Sequence, residues 1–140
     1  MKKDTSEMLK ELEQCEEFHA FHQTNESQLV DRSIADYVNE LIAAKGLKKA
    51  EVIRRSGLSE PYGYQIFSGY RVPERPKLLS LAIGMQLDLH EVQTLLKHAG
   101  YAALYAKNEF DCVVIFGICK KLSVLDINAL LYEYGLNVLG

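Results

Sequence analysis

An all-α fold is what this sequence predicts, and three observations predict it. Apolar residues recur at spacings of three and four along most of the chain, the repeat of one face of a helix. Serine, aspartate and glutamate stand where helices start, and glycine where they end,. The one run rich in β-branched residues, 112–119, has no clear second strand to pair with,. The 140 residues are 48% hydrophobic and 25% charged. Such values fit a globular protein and exclude a disordered chain, a collagen-like fibre or a disulfide scaffold.

Each element can be justified in order. Over residues 5–22, Met8, Leu12, Cys15, His19 and His22 fall on one face, which predicts a single amphipathic helix. Thr24, Asn25, Glu26 and Ser27 form a polar linker. A second helix starts at about Asp31, carries Ile34, Val38, Leu41 and Ile42 on one face, and ends at Gly46,. Short helices follow over 48–56, 59–68 and 76–83, separated by Gly57, by Gly69 to Pro73, and by Gly84. Asp88 and Glu91 form a capping-box pattern, and Gly100 closes the helix they open,. The run 112–119 reads as a buried helix, with Cys112 and Cys119 as buried thiols acting as small hydrophobes,. Ser123 and Asp126 start a last helix that runs to about Tyr134 and stops at Gly135.

These elements divide the chain into an N-terminal amphipathic helix and linker (1–27), a central helical domain (28–100) and a C-terminal packing and dimerisation extension (101–140). Charge is distributed unevenly. Residues 45–77 hold eight basic side chains against three acidic ones, a net +5 inside a chain of net −3, while residues 1–27 carry −4. A basic block in an acidic chain is either a solvated face or a footprint that meets phosphates. The three cysteines have no close spacing and read as free thiols of a reducing compartment,. The start, Met1 to Glu7, turns acidic where a signal peptide would turn apolar,. The longest apolar run has eight residues, against roughly 20 for a membrane helix. A cytoplasmic protein is expected.

The informative stretch runs from Leu47 to Pro73. One short helix ends at Gly57, where glycine permits a sharp turn. Leu58 plugs the turn, Ser59 caps the next helix, and Pro61 sits in its first turn,. Two short helices on a tight glycine turn form a helix-turn-helix, whose second helix enters the major groove of DNA. The segment resembles the Cro/CI-type, lambda-repressor-like helix-turn-helix family, often called XRE. The matching positions are Leu47, Lys49, Val52, Ile53, Gly57, Leu58, Ser59, Ile66, Gly69, Arg71 and Pro73. Leu78 to Met85 is similar to the family's fourth helix and Leu87 to Val92 to the start of its fifth, so the likeness covers about 31–100.

The resemblance implies a dimeric, sequence-specific regulator of transcription on double-stranded DNA, a repressor of a bacterial or phage operon that occludes a promoter. It places Lys49, Tyr64, Gln65 and Glu60 at base edges. It places Ser59, Tyr62, Ser68, Tyr70, Arg71 and Arg75 at the phosphate backbone. The chain departs from the family in three ways. Ile53 stands where the family has a small alanine and Gly63 where it has a branched residue; Ile53 is expected to fill the space Gly63 vacates. Glu60, which only accepts, and Pro61, with no donor or acceptor, head the reading helix,. Lys49 replaces a frequent glutamine. The alternative is a protein-interaction module that keeps the fold and reads DNA weakly or not at all.

Cys15, His19 and His22 at i, i+4 and i+7 have the chemistry of zinc ligands, but no fourth ligand is near and the same positions continue an apolar stripe, so no metal is assigned. Tyr62, Tyr64 and Tyr70 among cations would suit stacking on unpaired bases, although packing and phosphate contacts suit the family better. No phosphate loop, nucleophile elbow or zinc-protease pattern is present,, so neither an enzyme nor a cofactor is expected. The apolar tail 101–140 is too short to fold alone and must cover the central domain, a second subunit, or both. The tail and the N-terminal helix are the candidate dimer surfaces.

Overall fold

A computed structural model describes residues 3–25 and 33–140. Among them are nine helices and no strand: α1 (Thr5–Gln14), α2 (Phe18–Asn25), α3 (Ile34–Lys45), α4 (Lys49–Ser56), α5 (Glu60–Ser68), α6 (Arg75–Gly84), α7 (Leu89–His98), α8 (Glu109–Cys119) and α9 (Val124–Glu133). The predicted start at Asp31 and the linker residues Glu26 and Ser27 lie outside the described residues. The chain forms two compact units, Met1–Arg32 and Ser33–Gly140.

In the first unit, the single helix predicted over 5–22 is two. α1 ends at Cys15, whose backbone is extended, and α2 begins at Phe18. The physical reason is charge. Glu16 and Glu17 would oppose the negative end of a continuing helix, but they favour the positive start of a new one. The break takes Cys15 out of the helical face it was expected to share with His19 and His22. No group of three or more His, Cys, Asp or Glu side chains that could hold a metal ion occurs among the described residues. Asn25, fully buried, joins the two helices by donating to Glu11 at 2.7 Å and to the Phe21 carbonyl at 3.1 Å, and by accepting from Lys3 at 2.6 Å. Hydrogen bonds from Lys3 and then Asn25 hold the Glu11 carboxyl below its ordinary range,.

In the second unit the helix starts follow local chemistry. Ser33, Ser59, Asp88, Asn108 and Ser123 each accept a hydrogen bond from a backbone N–H in the first turn of the helix they open,. Asp88 and Glu91 complete the capping box in both directions. α6 is the central helix, buried from Leu78 through Gly84. Around it lie Val38 and Ile42 of α3, Val52 and Ile53 of α4, Ile66 and Phe67 of α5, and Val92, Leu95 and Leu96 of α7. The tail belongs to the same core: Leu104, Val114, Ile118, Val124, Ile127, Leu131 and Leu139 are buried in it.

Two details differ from the sequence reading. Gly84 was expected to separate helices, yet it lies within α6 and is buried. A Cβ there would come within 2.6 Å of the Val52 carbonyl oxygen, so Gly84 is the point where α6 lies against α4. Gln86 makes the left-handed turn instead, at φ 59°. Cys112 and Cys119, expected to be buried thiols, are both exposed. α8 turns Asp111, Val114, Gly117 and Ile118 inward, which leaves positions 112, 116 and 119 outside.

Candidate nucleic-acid interface

The α4–α5 pair is built by a few residues whose chemistry leaves little freedom. Gly57 takes φ 75° and ends α4. Buried Ser56 donates to the Ile53 carbonyl at 2.6 Å and accepts from Leu58 N at 3.2 Å, which clamps the turn. Leu58 is half-buried rather than a full plug. Ser59 caps α5 by accepting from Tyr62 N at 3.4 Å. At the crossing, a Cβ on Gly63 would sit 2.6 Å from both Cγ1 and Cγ2 of Ile53. Ile53 therefore does occupy the room that Gly63 leaves. At the far end of α5, Asn39 of α3 donates to the Phe67 carbonyl at 2.8 Å, satisfying one of the orphan acceptors of a helix terminus.

This scaffold leaves one side of α5 open. Glu60 and Pro61 are exposed at its start, Tyr64 is exposed one turn on, and Gln65 is half-exposed. Gly69, at φ 83°, turns the chain outward. Beyond it Tyr70 is 72% exposed, and the Arg71 guanidinium lies 5.4 Å from the centre of its ring. The Arg71 N–H donates to the Gln65 carbonyl at 3.1 Å, which fixes the turn to the helix. Ser68 donates to the Gln65 carbonyl and accepts from Tyr70 N, so its hydroxyl shapes the same turn. Lys49, exposed at the start of α4, places its ammonium 5.4 Å from the centre of the Phe67 ring. The structure thus brings Lys49 to the end of α5 that carries Ser68, Tyr70 and Arg71.

Two predicted phosphate contacts are placed differently. Arg75 turns its guanidinium to Asp111, with two parallel bonds of 3.0 Å, and donates to the carbonyls of Ala102 at 3.0 Å and Ala103 at 3.4 Å. Asp111 is itself buried and also accepts from Tyr105 N at 2.9 Å. A bidentate pair of this kind is a structural clamp, and it takes Arg75 off the list of backbone contacts. Tyr62 is half-buried, with the Lys77 ammonium 5.1 Å from its ring centre. Burial, and then the charge of Glu74, push its phenol above the ordinary range,.

Sequence reasoning missed Lys48, which stands beside Lys49 in front of an α4 terminus that no side chain caps. The doubled lysine was the available signal. It also missed Ser56 and Asn39, whose roles are set by contacts and leave no spacing to read. Compared with family models, curated proteins and solved structures, the chain shows no significant match. No helix of the described residues is long and apolar enough to cross a membrane.

Proposed function

We propose that this chain is a DNA-binding regulator of transcription with a lambda-repressor-like helix-turn-helix, a cytoplasmic repressor that acts as a dimer on two half-sites of a bacterial or phage operator. The observation that carries the reading is the pairing of a glycine-turned α4–α5 unit with an open α5 face, rimmed by Lys49 and Arg71. Tyr64 and Gln65 face outward where a major-groove helix presents its readers: Gln65 suits adenine, and Tyr64 a thymine methyl or a phosphate. Lys48 and Arg71 supply the charge for backbone contacts, Lys49 suits a guanine edge or a phosphate, and the uncapped N–H groups opening α4 suit a phosphate oxygen. Ser68 and Tyr70 stand at the same end of α5, and Ser59 at its start.

A second reading rests on the exposed Glu60 at the head of α5, which repels phosphates and favours a protein-interaction module on the same fold. Selection from a random duplex library at moderate salt separates the two. The regulator enriches a near-palindrome with half-sites about one helical turn apart, and its affinity falls steeply with salt. An interaction module enriches nothing, even at low salt.

A further inference from the structure

We infer that the outer face of α8 is a self-association seam, on which a second copy of this chain packs antiparallel. α8 presents Cys112, Phe116 and Cys119 to the outside at i, i+4 and i+7, one continuous stripe along a helix. Phe116 is 50% exposed at its middle, a large apolar surface for one turn of helix. The ends carry opposite charge, with Glu109 exposed at the start and Lys120 and Lys121 exposed at the finish. A stripe with an acidic start, an aromatic centre and a basic end complements itself only when one copy is reversed. Its acidic end then meets its partner's basic end, and the two helix dipoles oppose each other favourably.

The register follows from the stripe. A two-fold axis between the levels of residues 115 and 116 sets Cys112 of each copy level with Cys119 of the other and brings the two Phe116 rings within about one residue's rise of each other. Helices packed about 9–10 Å apart, the wide end of the usual range, each with a Cα radius of about 2.3 Å, bring facing Cα atoms to about 4.4–5.4 Å. That range overlaps the roughly 4.4–6.8 Å a disulfide spans. Within one copy, Cys112 and Cys119 are seven residues apart, about 10 Å along the axis, too far to bridge. The seam deepens the dimeric part of the reading above and needs no DNA for its test.

The experiment uses the full chain with Cys15→Ser, oxidised with diamide, which accepts two electrons and two protons as two thiols become one disulfide. The parent is expected to form a covalent dimer, and Cys112→Ser or Cys119→Ser alone to lose it at least tenfold. A mixture of the two single variants is expected to recover the cross-link, because each supplies the thiol the other lacks. Phe116→Asp, at an exposed position, is expected to sediment as a monomer with unchanged helical circular dichroism. Same-residue cross-links would overturn the antiparallel register. A dimer that persists in Phe116→Asp would place the interface elsewhere and leave a dimeric regulator standing. A parent chain that sediments as a monomer would overturn both the seam and the dimer.

Discussion

Enlarging Gly63 tests the packing on which the whole α4–α5 unit depends. A Cβ at this position would lie 2.6 Å from Ile53 Cγ1 and Cγ2 and 2.9 Å from Cδ1, well inside contact distance. Both Cγ atoms branch from Cβ, and in a helix that branch is held to one strongly preferred rotamer, so Ile53 cannot swing clear. Gly63→Ala gains about 1 kcal/mol of helix propensity and loses about 1–3 kcal/mol to overpacking, for a net loss of about 0–2 kcal/mol. Gly63→Ile adds a branched chain to the same space and is expected to lose at least about 3 kcal/mol. Ile53→Ala alone empties the site and costs about 2–5 kcal/mol. The double variant restores the volume with the partners exchanged, so its loss should fall short of the sum by at least about 1.5 kcal/mol. Urea unfolding followed by circular dichroism reads these differences; with a slope of about 1.5 kcal/mol per molar, a 3 kcal/mol loss moves the midpoint by about 2 M. An unchanged midpoint for Gly63→Ile, or strict additivity in the double variant, would refute the reasoning.

Four further outcomes are expected. Arg71→Ala should weaken binding to every duplex alike and reduce the salt slope by about one; altered sequence preference in the library selection would show that Arg71 reads bases. Asp111→Ala leaves the Arg75 guanidinium with the Ala102 and Ala103 carbonyls but no carboxylate and should cost about 3 kcal/mol in urea unfolding, while Arg75→Lys should also destabilise, since an ammonium cannot make two parallel bonds; a fully stable Arg75→Lys chain would disprove the clamp. Gln86→Gly should stabilise by about 0.5–1 kcal/mol, because relief of the left-handed strain exceeds the extra freedom of glycine in the unfolded chain, and a lower midpoint would contradict this. Glu11 has a lowered folded pKa, so its contribution to the α1–α2 unit is present above the unfolded carboxylate value and lost as pH falls through the folded one; the Phe21 ring resonances should shift over that acid range and would stay fixed if the Lys3–Glu11–Asn25 cluster were immaterial.

Three helix starts were legible because capping is local: Ser59, Asp88 and Ser123 accept from an N–H three residues on. Gly84 misled because glycine serves two purposes that look alike in a sequence. At Gly57 it supplies a positive φ, and at Gly84 it admits the Val52 carbonyl. α8 is apolar on almost every side, so periodicity could not say which face lies inward, and Cys112 and Cys119 were assigned to the wrong one. For the candidate site, Tyr64, Gln65 and Arg71 followed from a motif of fixed spacing. The Arg75 clamp did not, because its partner lies 36 residues further along. No local pattern announces a contact of that range.

That distance has a consequence for the order in which the protein is made. Domains begin to fold during synthesis, from the N-terminal end. A chain that has left the ribosome only as far as Gly100 already contains α3 to α7, yet Arg75 lacks the Asp111 carboxylate, and the core lacks Val114, Ile118, Ile127 and Leu131. Completion of the core around α6 therefore waits on residues 101–140, and a product that stops before them would leave apolar surface open to proteolysis.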